Sequence, residues 1–263
     1  MKNNFISILI TNYNKEVFLK KSLKMICNQN YKNYEIILYD DCSTDRSLKI
    51  IQKFKKIKLI KNKKRKSISR ALNQINGIIK CFNKSKGKII CLMDADDFFE
   101  KNKILSINKY FNENKNLNCV YNLTTNNIKE VTTQTKKSNY MVWPVIFPTS
   151  CISFRRSFFG LFKKYIYKNK FTRLEIDARI VIFTKFFLGE NNILKKKLTV
   201  YNHDPDGITS KIKKYSSIWW IRRYEAFKYL NNIQKVKKNF FIKGYDYYLT
   251  SFFANLIRFI YKV

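Results

Sequence analysis

Lys88-Ile-Ile-Cys-Leu-Met-Asp-Ala-Asp-Asp97 decides how the chain is read. Ile89 to Met93 is a short apolar run preceded by Gly87, so the pattern predicts a buried strand rather than a helix. Asp94, Asp96 and Asp97 then fall where that strand ends. Three neighbouring anions repel one another, and a divalent cation relieves the repulsion. Hard oxygen ligands suit Mg2+ or Mn2+, which usually bind one or two carboxylates together with phosphate oxygens. The plainer alternative makes Asp97 the cap of a following helix and leaves Asp94 and Asp96 solvated.

Upstream of this strand, apolar runs alternate with helical periodicity. Phe5 to Ile10 reads as a strand, and Thr11-Asn-Tyr-Asn14 ends it with turn formers. Glu16 to Gln29 places Leu19, Leu23 and Ile26 on one helical face. A second strand, Glu35 to Tyr39, runs into Asp40 and Asp41. Ser43-Thr-Asp45 is a helix-capping cluster, and the helix it opens is expected to reach about Lys55. Ile57 to Ile60 is a short third strand, and Ser67 to Asn83 is the clearest amphipathic helix. This alternation predicts a mostly parallel sheet with helices on both faces. Ligands of such sheets bind outside the carboxyl ends of the strands. Thr11 and Tyr13, Asp40 and Asp41, and Asp94 to Asp97 should therefore face one crevice.

Downstream the pattern is less regular. Strands are expected at Asn118 to Leu123, Cys151 to Phe154 and Lys196 to Tyr201. The stretch 122–139 reads as an exposed hairpin or loop, and Trp143 to Pro148 as extended. A helix opens at Leu174 and is ended by Gly189. Two more helices, Ser217 to Leu230 and Tyr245 to Tyr261, close the chain.

Composition narrows the classes. The 263 residues are 45% hydrophobic and 16% aromatic, which excludes a disordered chain. The formal net charge of +35 attracts polyanions. The lysines are spread over the whole chain, with one denser run at Lys61 to Lys66. No helix-turn-helix, RRM or zinc-finger signature accompanies them, so nucleic acid is not an expected partner. There is no G-x-G-x-x-G and no G-x-x-x-x-G-K-[ST]. The cysteines at 27, 42, 81, 91, 119 and 151 show no C-x-x-C spacing and read as thiols of a reduced, cytoplasmic protein. The apolar stretch after Met1 is too short for a signal peptide, and no segment is apolar enough to span a membrane. The basic, aromatic C-terminal segment suits a peripheral seat on an anionic surface, at the inner face of the cytoplasmic membrane. Ordinary core packing is the alternative for that tail.

The order of motifs resembles a family-2 glycosyltransferase of the GT-A fold. The residues that carry the resemblance are Ser7-Ile-Leu-Ile-Thr-Asn-Tyr-Asn14, Tyr39-Asp-Asp-Cys-Ser-Thr-Asp45, Ser67-Ile-Ser-Arg-Ala-Leu-Asn73, Met93-Asp-Ala-Asp-Asp97 and Glu175-Ile-Asp-Ala-Arg179. The resemblance implies an α/β GT-A domain over residues 1–215, with a nucleotide-sugar-binding half (1–100) and an acceptor half (101–215), followed by a helical extension over 216–263. It implies a nucleotide-diphospho-sugar donor, a UDP-sugar first among them, and a saccharide or lipid-linked saccharide acceptor. Thr11 and Tyr13 would border the base, and Asp41 would accept a hydrogen bond from its ring N–H. Arg70 or Asn73 would lie near the diphosphate or sugar. Asp94 and Asp96 match the family's D-x-D, with Asp96 the direct ligand of Mn2+ or Mg2+. Asp177 sits where these enzymes keep their catalytic base, with Glu175 its rival, and a single base without a nucleophile implies inversion. Ser67 and Leu72 depart from the family's usual Gly and Arg. His203 stands one position before the family's histidine, where this chain has Asp204. The rival reading is a basic nucleic-acid- or membrane-binding protein on a degenerate fold of this kind.

Overall fold

The computed structural model describes residues 2–65, 67, 69–125, 146–167, 169–202, 204, 207, 210, 212–236 and 244–261. Its strands are β1 (Ile6–Asn12), β2 (Tyr34–Asp40), β3 (Ile57–Lys61), β4 (Ile89–Asp94), β5 (Phe98–Phe99), β6 (Cys119–Thr124), β7 (Ile152–Arg155) and β8 (Ile193–Val200). Its helices are α1 (Glu16–Cys27), α2 (Ser47–Ile51), α3 (Arg70–Lys84), α4 (Lys103–Glu113), α5 (Arg156–Phe162), α6 (Ile176–Ile182), α7 (Ser217–Val236) and α8 (Tyr245–Tyr261). The strands form one sheet in the order β3-β2-β1-β4-β7-β6-β8-β5.

Strands β3, β2, β1 and β4 are parallel, as their continuous apolar runs predict. Alternate residues serve opposite faces. Ile8, Ile10, Ile36, Leu38, Cys91 and Met93 join α1 and α4 in one core layer. Leu9, Ile37, Tyr39, Ile90 and Leu92 join α3, α5, α6 and α7 in the other. Beyond β4 the sheet is mixed, because β7 runs antiparallel to both β4 and β6.

Register brings the strand ends level. Thr11 stands opposite Tyr39 on one side and Asp94 on the other, and Asn12 opposite Asp40. Two glycines permit close approach. A Cβ on Gly87 would lie 2.4 Å from the Ser7 backbone nitrogen, and one on Gly77 of α3 would lie 2.4 Å from the Tyr39 ring and 3.0 Å from Thr11. Helix α3 is thereby set directly against the ends of β1 and β2.

Several expected boundaries shift. Helix α2 ends at Ile51, four residues early, because Lys53 and Phe54 turn back onto Ile50 and Ile51 with tighter backbone bonds. Asp97 caps no helix: α4 begins after Asn102, and Asp97 instead accepts the backbone N–H of Asn202 at 3.0 Å. Thr149–Cys151 is a 3-10 turn leading into β7. After Ile182, α6 widens into a π-helical turn over Phe183–Leu188, which Gly189 ends with φ of 73°. Thr184 sits in that turn and bonds the carbonyls of Ile180 and Val181. Of the expected hairpin over 122–139, residues 126–139 lie outside the described residues, as do 143–145 of the extended 143–148 and His203.

Candidate active site

The loop after β1 is shaped by Asn14, whose φ of 51° turns the chain sharply. Its backbone N–H donates to Ser43 and its side chain bonds Thr44, knitting the loops after β1 and β2 together. Asp40 is consumed by this structure, accepting from Asn12 at 2.8 Å and from the Ser43 hydroxyl at 2.6 Å. Asp45 bonds the backbone N–H groups of Glu16 and Ser47, serving the starts of α1 and α2 together. Tyr13 and Lys15 thereby flank a fixed turn.

Two cations fill positions between the expected site residues. The Arg65 guanidinium lies 3.9 Å from the centre of the Tyr13 ring and donates to Asp41 at 2.9 Å. Asp41 also accepts from Asn62 at 2.8 Å. The Lys15 ammonium bridges Asp96, at 2.6 Å, and Asp204. Burial disfavours its charge, but Asp96 and Asp204 outweigh that and raise its pKa.

At the end of β4, Asp94 donates its backbone N–H to Ser150 and accepts from the Gln74 amide of α3 at 2.8 Å. Burial, reinforced by Asp96, pushes the Asp94 carboxyl up to about 6. Burial with Asp94 and Asp96 nearby takes Asp97 to about 8. Asn202 ties this wall to the segment after β8, its side-chain amide donating to the Asp96 carbonyl at 2.5 Å.

Asp177 lies in the first turn of α6. The loop before it is clamped by Arg179, which is fully buried and donates to the carbonyls of Leu174, Ile166, Tyr167, Lys170 and Phe171. Five donors on five carbonyls is a task suited to guanidinium. Burial first, then Glu175, lifts Asp177 to about 7, and the Asp94 charge adds to the shift. Glu175 is instead paired with Arg222 of α7 at 2.7 Å.

The level strand ends thus bring Thr11, Tyr13, Asp41, Asp94 and Asp96 together at the ends of β2, β1 and β4, while Asp177 opens α6, whose buried residues share a core layer with α3. Asn73 is turned aside, its amide donating to the Ser67 carbonyl at 2.7 Å, and Arg70 lies exposed at the start of α3. Lys15, Arg65 and Gln74 escaped the reading of the sequence. Gln74 follows Asn73 directly and was within reach of it. Lys15 and Arg65 carried no signal among 53 lysines and arginines. Among the described residues no three metal-ligating side chains converge on one point.

The sequence profile of glycosyl transferase family 2 matches residues 7–187. The chain is 33% identical over 119 residues to an uncharacterized glycosyltransferase of Haemophilus influenzae, covering 44% of this chain and 35% of that one. It spans about a third of the length of this relative and of EpsE from Bacillus subtilis. Over 268 residues it is 23% identical to the GalNAc(5)-diNAcBac-PP-undecaprenol beta-1,3-glucosyltransferase of Campylobacter jejuni, covering 96% of this chain and 84% of that one. Among solved structures, Staphylococcus aureus TarS 1-349 in complex with UDP superposes with a TM-score of 0.61 at 15% identity, over 87% of this chain and 64% of that one. The mannosyltransferase PcManGT of Pyrobaculum calidifontis, in complex with GDP-Man and Mn2+, gives 0.60 at 15% identity, over 91% and 66%. The strand order, the level strand ends and the profile over 7–187 agree: the chain belongs to glycosyl transferase family 2 and has the GT-A fold.

Proposed function

We propose that the chain transfers a sugar from a nucleotide-diphospho-sugar, a UDP-sugar first, to a hydroxyl of a glycan or lipid-linked saccharide, with inversion. The reading is carried by Tyr13, Asp41, Asp94 and Asp96 standing at the level ends of β1, β2 and β4 of a family-2 fold, with Asp177 within reach of the Asp94 charge. The bound UDP of TarS, the GDP-Man of PcManGT and the undecaprenol-linked acceptor named for the Campylobacter relative support this donor and acceptor chemistry. Residues 1–215 would form the transferase domain, and 216–263 a helical extension that adds Phe227, Leu230 and Ile233 to its core.

In this reading Thr11 and Tyr13 border the base, and Asp41 accepts its ring N–H. Arg65 now holds both Tyr13 and Asp41, so the base takes over contacts that the guanidinium makes in the free protein. The donor set at the other end fits a hard cation. Asp96 and Asp204 already enclose a positive charge, the Lys15 ammonium, and the charges of Asp96 and Lys15 both reach Asp94. Two carboxylates plus substrate oxygens are a usual complement for Mg2+ or Mn2+. A bound ion of this kind would neutralise charge on the departing diphosphate. Asp94 and Asp96 would hold it, and Gln74 would fix the Asp94 carboxylate. Asp177 would take the proton from the acceptor hydroxyl, and its lifted pKa suits a base working near neutrality. Glu175, neutralised by Arg222, is the weaker candidate.

Calorimetry with Mn2+ and UDP-, GDP- or dTDP-sugars tests the reading. Asp96→Asn should abolish metal-dependent donor binding. Asp177→Asn should leave binding intact and lower transfer by about 10²–10⁴-fold. Failure of all three donor classes to bind overturns it, and full transfer by Asp177→Asn reassigns the base.

A further inference from the structure

Helix α8 packs one face on α7 and exposes a second apolar face. Its buried positions are the small Thr250 and Ala254. Tyr245, Tyr248, Phe252, Leu256, Phe259 and Ile260 are between 42% and 84% exposed. They recur at steps of three and four, with Ile260 beside the last, so they share one stripe. Exposed apolar residues on soluble proteins are ordinarily scattered singly, and a continuous stripe marks an interaction surface.

The presentation is fixed by contacts on the inner side. Arg223 of α7 holds Asp246 with bonds of 2.5 and 2.6 Å. Phe253 stacks on Trp220 at 4.6 Å, and Tyr247 meets Phe227 edge-on at 5.5 Å. The Arg258 guanidinium lies 4.9 Å from the Tyr224 ring. Four contacts spread over three turns hold Tyr247, Phe253 and the small Thr250 and Ala254 inward and leave the exposed stripe facing out.

We infer that this stripe is a membrane-docking surface whose partner is a lipid bilayer with anionic headgroups. Charge chooses the occupant. A second copy of a +35 chain would bring like charge to the interface, whereas an anionic bilayer complements it. Lys228 and Lys235 are exposed on α7. In the sequence, Lys237, Lys238 and Lys243 precede α8 and Lys262 follows it. Aromatic residues on one face with lysines flanking them are the composition of a helix lying in the headgroup plane. At about 1.5 Å per residue the 17 residues of α8 make a rod roughly 26 Å long, and no helix of the described residues is long and apolar enough to cross a membrane. The inference goes beyond the transfer chemistry and stands on α8 and the positive charge around it; with a lipid-linked acceptor it would also bring the proposed site to its substrate.

Vesicle flotation of the full chain tests it, without nucleotide or acceptor. The wild type should float with vesicles rich in phosphatidylglycerol and far less with pure phosphatidylcholine. The double substitution Phe252→Ser with Phe259→Ser should weaken flotation about tenfold or more, and added salt should weaken that of the wild type. A Phe252→Trp variant, which keeps an apolar ring, should shift its emission to the blue on phosphatidylglycerol vesicles alone. Absence of flotation, equal flotation of the double variant, equal binding to both lipids, or a dimer in light scattering that the double substitution makes monomeric would each overturn the inference. Donor calorimetry without vesicles, on the same preparations, reports on the transferase reading separately.

Discussion

Asp177 is where pH should act most directly. Its native pKa of about 7 exceeds the 3.8 of an ordinary aspartate. Between those values the native chain keeps a proton that the unfolded chain has lost, so stability falls as pH rises through that window. Above it the buried carboxylate is a standing burden. Asp177→Asn should therefore melt at a higher temperature than the wild type at about pH 8, and the two should converge at about pH 3. Transfer needs the ionised base and should rise with pH to a plateau above about 7. A flat rate profile from pH 5 to 9, roughly the range that brackets such a base, removes Asp177 from that role. Lys15 invites a different measurement. Its ammonium separates Asp96 from Asp204, so Lys15→Met should lower the melting temperature and enlarge the gain from added Mn2+. The extra gain should be about 2–4 °C by scanning fluorimetry without nucleotide. An unchanged gain would show that ammonium and metal do not share these carboxylates.

At the scale of elements, α3 is the hinge between fold and site. Gly77 lets it lie against Tyr39 and Thr11, and Gln74, three residues earlier, then meets Asp94. Gly77→Ala would favour the helix by propensity but force a Cβ into the Tyr39 ring. Overpacking of this kind typically costs about 1–3 kcal/mol. Denaturant titration should show the loss, with donor affinity reduced in parallel because Gln74 and Asp94 part. A variant as stable as the wild type would mean that α3 shifts freely. The elements legible in the sequence share a property: β1, β2, β4 and α3 carry their period within a single segment. The two-residue β5 carries none, and it forms only because Phe98 and Phe99 meet Val200 and Thr199. The reversal of β7 against β4 was hidden for the same reason, since Phe154 reads alike in either direction. Among site residues, Asp94, Asp96 and Asp41 stood out because carboxylates rarely end apolar runs. Arg65 and Lys15 were masked by the surrounding excess of their own kind.

At the scale of the molecule, the excess positive charge opposes compactness through self-repulsion. Melting temperature should rise as chloride screens that repulsion, with the largest gain below about 0.15 M salt, where the screening length changes most. Salt-independent melting would mean that the 53 basic residues are paired or dispersed too well to matter. The wall at the end of β4 has a consequence for synthesis on the ribosome. Asp97 is bonded by Asn202, 105 residues further along, and Lys15 joins Asp204 across 189. Strands β1, β2 and β4 can pair as soon as they emerge, because their connections are local. The nascent chain at that stage holds Asp94, Asp96 and Asp97 but neither Asn202 nor Asp204, which tie them in place. The proposed donor site is therefore completed only after the second half of the chain has been made, and a half-synthesised chain should not tie up sugar nucleotides around it.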